Sequence, residues 1–348
     1  MNSRSVDLLV AGGGPAGLVT ALHAARAGLE VEVWEPRPGV VDKACGEGLM
    51  PGALQSLQDL GVDPPGHAFR GVRYVGGRRS TQSDFAHGPG RGIRRTTLHA
   101  ALLDAALAAG ARVEYRPVRE LRQDDQHVVA DGVRARHLVA ADGLHSPLRR
   151  SLGLDVPLTR HPRFGLRRHF RTAPWSAYVE VHWGREVEAY VTPVADDVVG
   201  VAVLASSKGS FDERLRALPE LHALLADGEP ASDVRGAGPL RQRARQRVAG
   251  RVLLVGDAAG YVDALTGEGL ALAFAQAGAA VTAITDGVPG RYERDWRVLT
   301  RRYRWLTTAL LVGTRPVATR RAIVPAAALL SPVFGAAVDA LARPVGRP

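Results

Sequence analysis

Three short stretches combine residue types that could do chemistry. The first is Gly12-Gly13-Gly14-Pro15-Ala16-Gly17, placed after the apolar run VDLLVA and before a small-residue helix. Gly12 permits a tight turn, Gly14 lets backbone touch a pyrophosphate, and Gly17 allows the helix to pack on the strand. The helix N-terminus, which opens at Pro15, would present free N–H groups from Ala16 onward and about half a positive charge to phosphates. Glu35 follows a second strand, where its carboxylate can accept hydrogen bonds from a ribose hydroxyl. The second stretch is VDKACGEGLMPGAL, residues 41–54, which holds Lys43, Ala44 and the single cysteine, Cys45. Its glycines suit a backbone that comes close to something. The third is RVLLVGDAAGYVDALTGEGLALAFAQA, residues 251–277. There Gly256 and Asp257 end a strand, and Asp257 can accept from a polyol hydroxyl. The helix beginning near Gly267 and Gly269 would aim its positive end at the edge of a ligand.

These residues need a scaffold, and the patterning supplies one. Strands are expected at 6–11 and 31–34, with a helix between them reaching Ala27 and Gly28. Pro51 opens a short helix over 51–60. Two strands joined at Gly76-Gly77 fill 70–84, and a helix over 95–109 is closed by Gly110. Strands at 112–116, 127–130 and 133–140 lead to ADGLHS. Residues 163–205 alternate with period two, which argues for an antiparallel sheet covered on one face. A helix is expected near 210–226, a strand at 251–257, a helix over 268–285 and further helices from 290. The organisation is an α/β nucleotide-binding domain, assembled from 1–67, 88–155 and 245–290. It is interrupted by a sheet domain formed from 68–87 and 156–244, with C-terminal helices over 291–348.

Composition narrows the classes. The 348 residues are 46% apolar, enough for a sizeable core. The net charge of +10 comes almost wholly from arginine, since Lys43 and Lys208 are the only lysines, and it reads as a composition bias. No basic run is interleaved with aromatics, so no nucleic-acid partner is expected. One cysteine excludes an intramolecular disulfide, and no signal-peptide pattern is seen, so a cytoplasmic location is expected. The most apolar stretch, residues 322–342, is interrupted by Pro325, Pro332 and Asp339. It reads as short helices packed on the body, with peripheral membrane contact as the alternative and no transmembrane span.

The glycine motif, ADG at 141–143 and GD at 256–257 occur in an order that resembles the FAD-dependent oxidoreductases of the aromatic-hydroxylase (class A flavin monooxygenase) and geranylgeranyl-reductase superfamily. The resemblance covers about residues 5–290. It implies a Rossmann-like FAD-binding domain of the glutathione-reductase type, with an inserted antiparallel-sheet substrate domain. By resemblance, Glu35 binds the adenosine ribose, Asp257 the ribityl chain, and Arg95 (or Arg94) contacts FAD. Asp142 would serve the pyrophosphate region and a passing nicotinamide cofactor. No second glycine fingerprint exists, as the family leads one to expect, and NADH or NADPH stays open as the transient reductant.

KACGEGL resembles the CGGGL-like loop of the reductase branch, with Glu47 in place of the middle glycine. That likeness puts Cys45 near the isoalloxazine and Lys43 near the FAD phosphates or ribose. Cys45 is then a proton donor, a substrate contact or a small residue that fits under the cofactor. Trp175 and Trp183 do not reproduce the halogenase spacing, and neither lysine neighbours a tryptophan. Substrate contacts are expected from His169, Tyr178, His182, Trp183 and Tyr190. The leading expectation is an NAD(P)H-driven monooxygenase acting through a C4a-hydroperoxyflavin on a hydrophobic aromatic or terpenoid molecule. The alternatives are a C=C reductase of the geranylgeranyl-reductase type and a non-catalytic flavin-binding protein. The oligomeric state stays open.

Overall fold

A computed structural model describes residues 5–157 and 162–346. Strand β1 (Ser5–Ala11) leads into α1 (Pro15–Arg26), β2 (Val31–Trp34) and α2 (Pro51–Asp59). The hairpin β3 (Gly71–Gly76) and β4 (Arg79–Asp84) precedes α3 (Arg95–Ala108), β5 (Arg112–Glu114) and β6 (Val133–Ala140). Four longer strands follow: β7 (Phe164–Arg171), β8 (Tyr178–Trp183), β9 (Val187–Ala195) and β10 (Val198–Ala205). The chain then returns through β11 (Val252–Leu254) to four helices. These are α4 (Gly269–Thr285), α5 (Arg291–Gly313), α6 (Val317–Leu329) and α7 (Ser331–Ala342).

Five strands form a parallel sheet in the order β5–β2–β1–β6–β11. A parallel sheet must be covered on both faces, so its strands are continuously apolar. Leu8, Leu9 and Val10 of β1 are fully buried accordingly. Helix α1 lies against the sheet with Ala21 and Ala24 facing inward, and these small residues let α4 pack closely on it.

The second sheet runs β7–β10–β9–β8–β3–β4. Alternation gives each strand two faces. Val191, Val201 and Val203 pack on Phe211, Leu215 and Leu221, while Tyr190, Thr192, Ala202 and Leu204 face the parallel sheet. One pairing departs from an all-antiparallel sheet: β8 runs parallel to β3. Local alternation cannot show this, because it depends on which distant strand docks at the edge.

Two helical expectations are also corrected. The region 210–226 forms two short helices, Phe211–Arg216 and Pro219–Leu224, because Pro219 cannot continue the first. Pro325 lies inside α6 instead of ending it, where buried Val324 and Arg320 hold the helix to the body. Pro332 opens α7, and α6 and α7 meet at 99°. Among the described residues no single helix is long and apolar enough to cross a membrane.

A buried polar cluster ties these parts together. Glu188 of β9 accepts hydrogen bonds from Arg163 and from Arg320 of α6. Arg163 Nε also lies 3.2 Å from Asp263. Burial lifts the Asp263 carboxyl from 3.8 to about 6, outweighing the pull of Arg163. The folded protein therefore holds this proton more tightly than the unfolded chain does. The stabilisation is complete below about pH 4 and is lost as pH rises through about 6, a change of about 3 kcal/mol. Asp263→Asn should remove this component. The stability difference between variant and wild type, followed by urea unfolding from pH 4 to pH 8, should shift in the variant's favour as pH rises.

Candidate functional site

A cleft of about 230 Å³ opens between the two sheets. Its floor is Gly14, Pro15 and Ala16, one wall is Lys43, Ala44 and Cys45, and Arg95 closes an end. Gly256, Asp257, Gly267 and Gly269 form the opposite wall, and Tyr190 enters from the second sheet. Sequence-distant segments converge here because β1, β6 and β11 all end on the same side of a parallel sheet.

The glycines have different reasons to be glycine. Gly12 has φ +108°, and a Cβ there would meet Ala141 O at 2.4 Å. A Cβ on Gly17 would lie 1.8 Å from Gly12 O. Both are fixed by the protein's own packing. Gly14 is not, since a Cβ there would approach nothing nearer than Arg95 Nη2 at 3.8 Å. That open space sits over the N-terminus of α1, which has no side-chain cap.

Arg95 is buried, and its Nε has no partner. An uncapped helix start, a bare glycine and an unpartnered guanidinium together match a diphosphate, so the residues present fit FAD. Glu35 is buried at the end of β2, accepting from Gly13 N at 2.9 Å and from Arg37 Nε at 2.7 Å. Burial alone would raise its pKa, but Arg37 and the backbone donors hold it below the usual carboxylate range. A carboxylate has lone pairs to spare for ribose hydroxyls.

Lys43 Nζ lies 3.9 Å from Asp257 Oδ2 across the cleft. Asp142 turns away from the cleft, accepting from Leu148 N at 3.0 Å at the start of the short helix Pro147–Ser151. Burial raises its pKa, and its neighbour Gly143 is what lines the cleft.

The loop 42–48 is anchored to the second sheet. Glu47 has φ +61°, a left-handed conformation that costs a non-glycine residue about 1 kcal/mol. Its buried carboxylate accepts from Arg95 N at 2.8 Å and lies 2.6 Å from His169 Nε2. His169 Nδ1 faces Arg167 Nη1 at 3.1 Å. Arginine can only donate, so Nδ1 accepts and Nε2 carries the proton given to Glu47. Arg167 also bonds Asp42, and Thr192 Oγ1 donates to Gly46 O at 2.8 Å. Cys45 Sγ accepts from Glu47 N at 3.4 Å. Burial pushes the thiol above its ordinary value, against the pull of Arg95 and with the help of Glu47.

Of the residues expected to face substrate, Tyr190 lines the cleft, with its hydroxyl donating to Leu265 O at 3.0 Å. His169 lies behind it as the support of Glu47. Tyr178 and His182 do not line it. They share one face of β8, bonded to Asp84 and Glu180, whereas the cleft receives Val179 from the other face. Trp183 is on Val179's face but farther along, edge-on to Tyr74 and beneath Arg320. Period two identifies faces and leaves open which one points inward. Thr192, Leu204 and Tyr261 line the cleft without having been singled out, although Thr192 is two residues from Tyr190 and so on its face.

This architecture defines a class. The FAD binding domain family model matches residues 5–292, and the chain belongs to that family. It is an FAD-dependent oxidoreductase. The chain is 31% identical to menaquinone reductase of Mycobacterium tuberculosis, over 76% of this chain and 73% of the relative. It is 29% identical, over the same shares, to digeranylgeranylglycerophospholipid reductase 1 of Methanothermobacter thermautotrophicus. The structure of p-nitrophenol 4-monooxygenase from Pseudomonas putida superposes with a TM-score of 0.83 at 21% identity, covering 99% of this chain and 100% of that one.

Proposed function

We propose that the enzyme reduces a carbon–carbon double bond in a hydrophobic, isoprenoid-type substrate, with NADH or NADPH as the electron source. The observation that carries this reading is Cys45, a thiol kept protonated by burial on the wall of the cleft. Reduced FAD would supply a hydride to one alkene carbon. The other carbon then needs a proton, and the Cys45 thiol is suited to give it. The thiolate left behind is stabilised by Arg95 and Arg167 and regains its proton from solvent. Likeness to two reductases, one named for a quinone and one for a geranylgeranyl lipid, supports the substrate class.

FAD would lie with its diphosphate on the N-terminus of α1 and Arg95, and its adenosine ribose at Glu35. The ribityl chain would meet Asp257, and the ring would face Cys45 and the start of α4, where Gly267 and Gly269 leave room. The second reading is monooxygenation, which requires no protein acid or base and only a cleft that excludes water. The apolar lining of Leu166, Val179, Leu204 and Leu240 favours that reading equally.

The test is anaerobic. Protein reduced by NAD(P)H is mixed with a polyprenyl alkene, and flavin absorbance and product mass are followed. Reoxidation without oxygen, with a product gaining a pair of hydrogens, is expected. Cys45→Ala should slow that step by about 100-fold or more while retaining FAD. If the flavin stays reduced until oxygen enters and the product gains oxygen, the monooxygenase reading replaces this one. Full turnover by Cys45→Ala would leave the cysteine a fitting residue only.

A further inference from the structure

A second, larger cavity of about 580 Å³ lies against the same cofactor wall, since Gly256, Asp257, Tyr261 and Gly269 border both spaces. Two periodicities converge on it. The extended segment RQRARQR places Arg241, Arg243, Arg245 and Arg247 two residues apart, and all four line the cavity. Opposite, α5 contributes Trp296, Thr300, Tyr303 and Arg304 from one helical face.

Arg247 is anchored by Glu293 and by the Ala259 and Ala244 carbonyls, and its guanidinium lies 3.8 Å over the Trp296 ring. The other four guanidiniums are not neutralised. Among the described residues, Arg241, Arg243, Arg245 and Arg304 form no side-chain hydrogen bond and no ion pair. Asp257 is the one carboxylate in the lining, and Lys43 approaches it from the other cavity. Burial and the charges of Arg247, Arg243 and Arg241 together hold the Arg304 guanidinium below its ordinary pKa. The indole N–H of buried Trp296 also lacks an acceptor.

Arg241, Arg243, Arg245 and Arg304 are solvent-exposed at the cavity rim, whereas Arg149, Arg163, Arg167 and Arg320 elsewhere each pair with a carboxylate. Like charges gathered around an empty volume repel one another, and an arrangement of this kind is stable with an anion inside.

We propose that this cavity binds a phosphate-bearing small molecule, with charge enough for a diphosphate, behind the Gly256–Tyr261 wall of the cofactor cleft. The group could be carried by the nicotinamide reductant or by a separate diphosphate ester. The site is defined without reference to which reaction the flavin performs.

Thermal unfolding of FAD-saturated holoenzyme with added inorganic pyrophosphate tests the proposal, because occupied FAD sites cannot take up the added anion. A saturable rise in melting temperature, weakening with salt, is expected. Arg243→Gln combined with Arg304→Gln should raise the concentration needed at least tenfold while leaving FAD content unchanged. Because the substitution relieves repulsion, the variant without pyrophosphate should melt no lower than wild type. Arg245→Gln alone, with no partner to lose, provides a second variant that should shift the same curve by a smaller factor. Absence of any pyrophosphate effect on wild type, or an identical curve in both variants, would overturn the site. The KM for NADPH and NADH then identifies the source. A tenfold rise for NADPH alone in the double variant assigns the site to the 2′-phosphate. Unchanged values for both, with pyrophosphate binding lost, assign it to a separate diphosphate ligand.

Discussion

Gly14→Ala is expected to give a folded protein, with unfolding behaviour close to that of wild-type apoprotein, that binds FAD about 100-fold more weakly. The added methyl has room in the protein itself, its nearest neighbour being a flexible guanidinium at 3.8 Å. It would occupy the space through which a diphosphate reaches the first N–H groups of α1. Two weakened charge-assisted hydrogen bonds account for about 3 kcal/mol, or about 100-fold in affinity. Gly17→Ala is the contrasting control. Its methyl would collide with Gly12 O at 1.8 Å, so it should destabilise the apoprotein as well. Flavin titration against fluorescence, paired with thermal melting of apoprotein, separates the two. A Gly14→Ala protein that keeps wild-type FAD affinity would place the diphosphate elsewhere.

The second large effect is expected at Glu188. Glu188→Ala leaves the guanidiniums of Arg163 and Arg320 facing each other in the interior, where the pair had been joined through one carboxylate. Removing one partner from a buried ion pair costs about 3–5 kcal/mol, because the remaining charge cannot be rehydrated. Arg163 keeps Asp263 and Arg320 keeps Gly184 O, so the lower part of that range is expected. Because Arg320 belongs to α6, proteolysis in the C-terminal helices should accelerate alongside the loss measured by urea unfolding. A loss below about 1 kcal/mol would mean that water reaches this cluster.

What could be read in the sequence was mostly what backbone geometry writes into residue type. The turn after β1 needs glycine at 12 and 17, and the carboxylate after β2 falls where a Rossmann-like unit puts it. These features are local, and their spacing shows them. The cleft's far wall is different, because it depends on pairing across long separations. Tyr178 and His182 alternate as convincingly as Tyr190 and Thr192, yet face away, and only the docking of β8 beside β3 decides this. Asp142 carries a motif aspartate, and one of its carboxylate oxygens accepts from a backbone N–H while the other is buried without a partner. Glu47 was visible as a departure from glycine, whereas its partner His169 lies 122 residues away.

The anchoring of the 42–48 loop limits how this scaffold can be re-engineered. Arg167 and His169 of β7 and Thr192 of β9 hold the segment that carries Cys45. Part of this loop's support therefore comes from the second sheet. A chimera that grafts this sheet from a relative onto the present dinucleotide domain would leave Glu47 in a left-handed conformation without its His169 partner, keeping only the hydrogen bond from Arg95 N. Restoring glycine at position 47 along with the graft should rescue such a chimera. Transplanting loop and sheet as one unit should succeed without it.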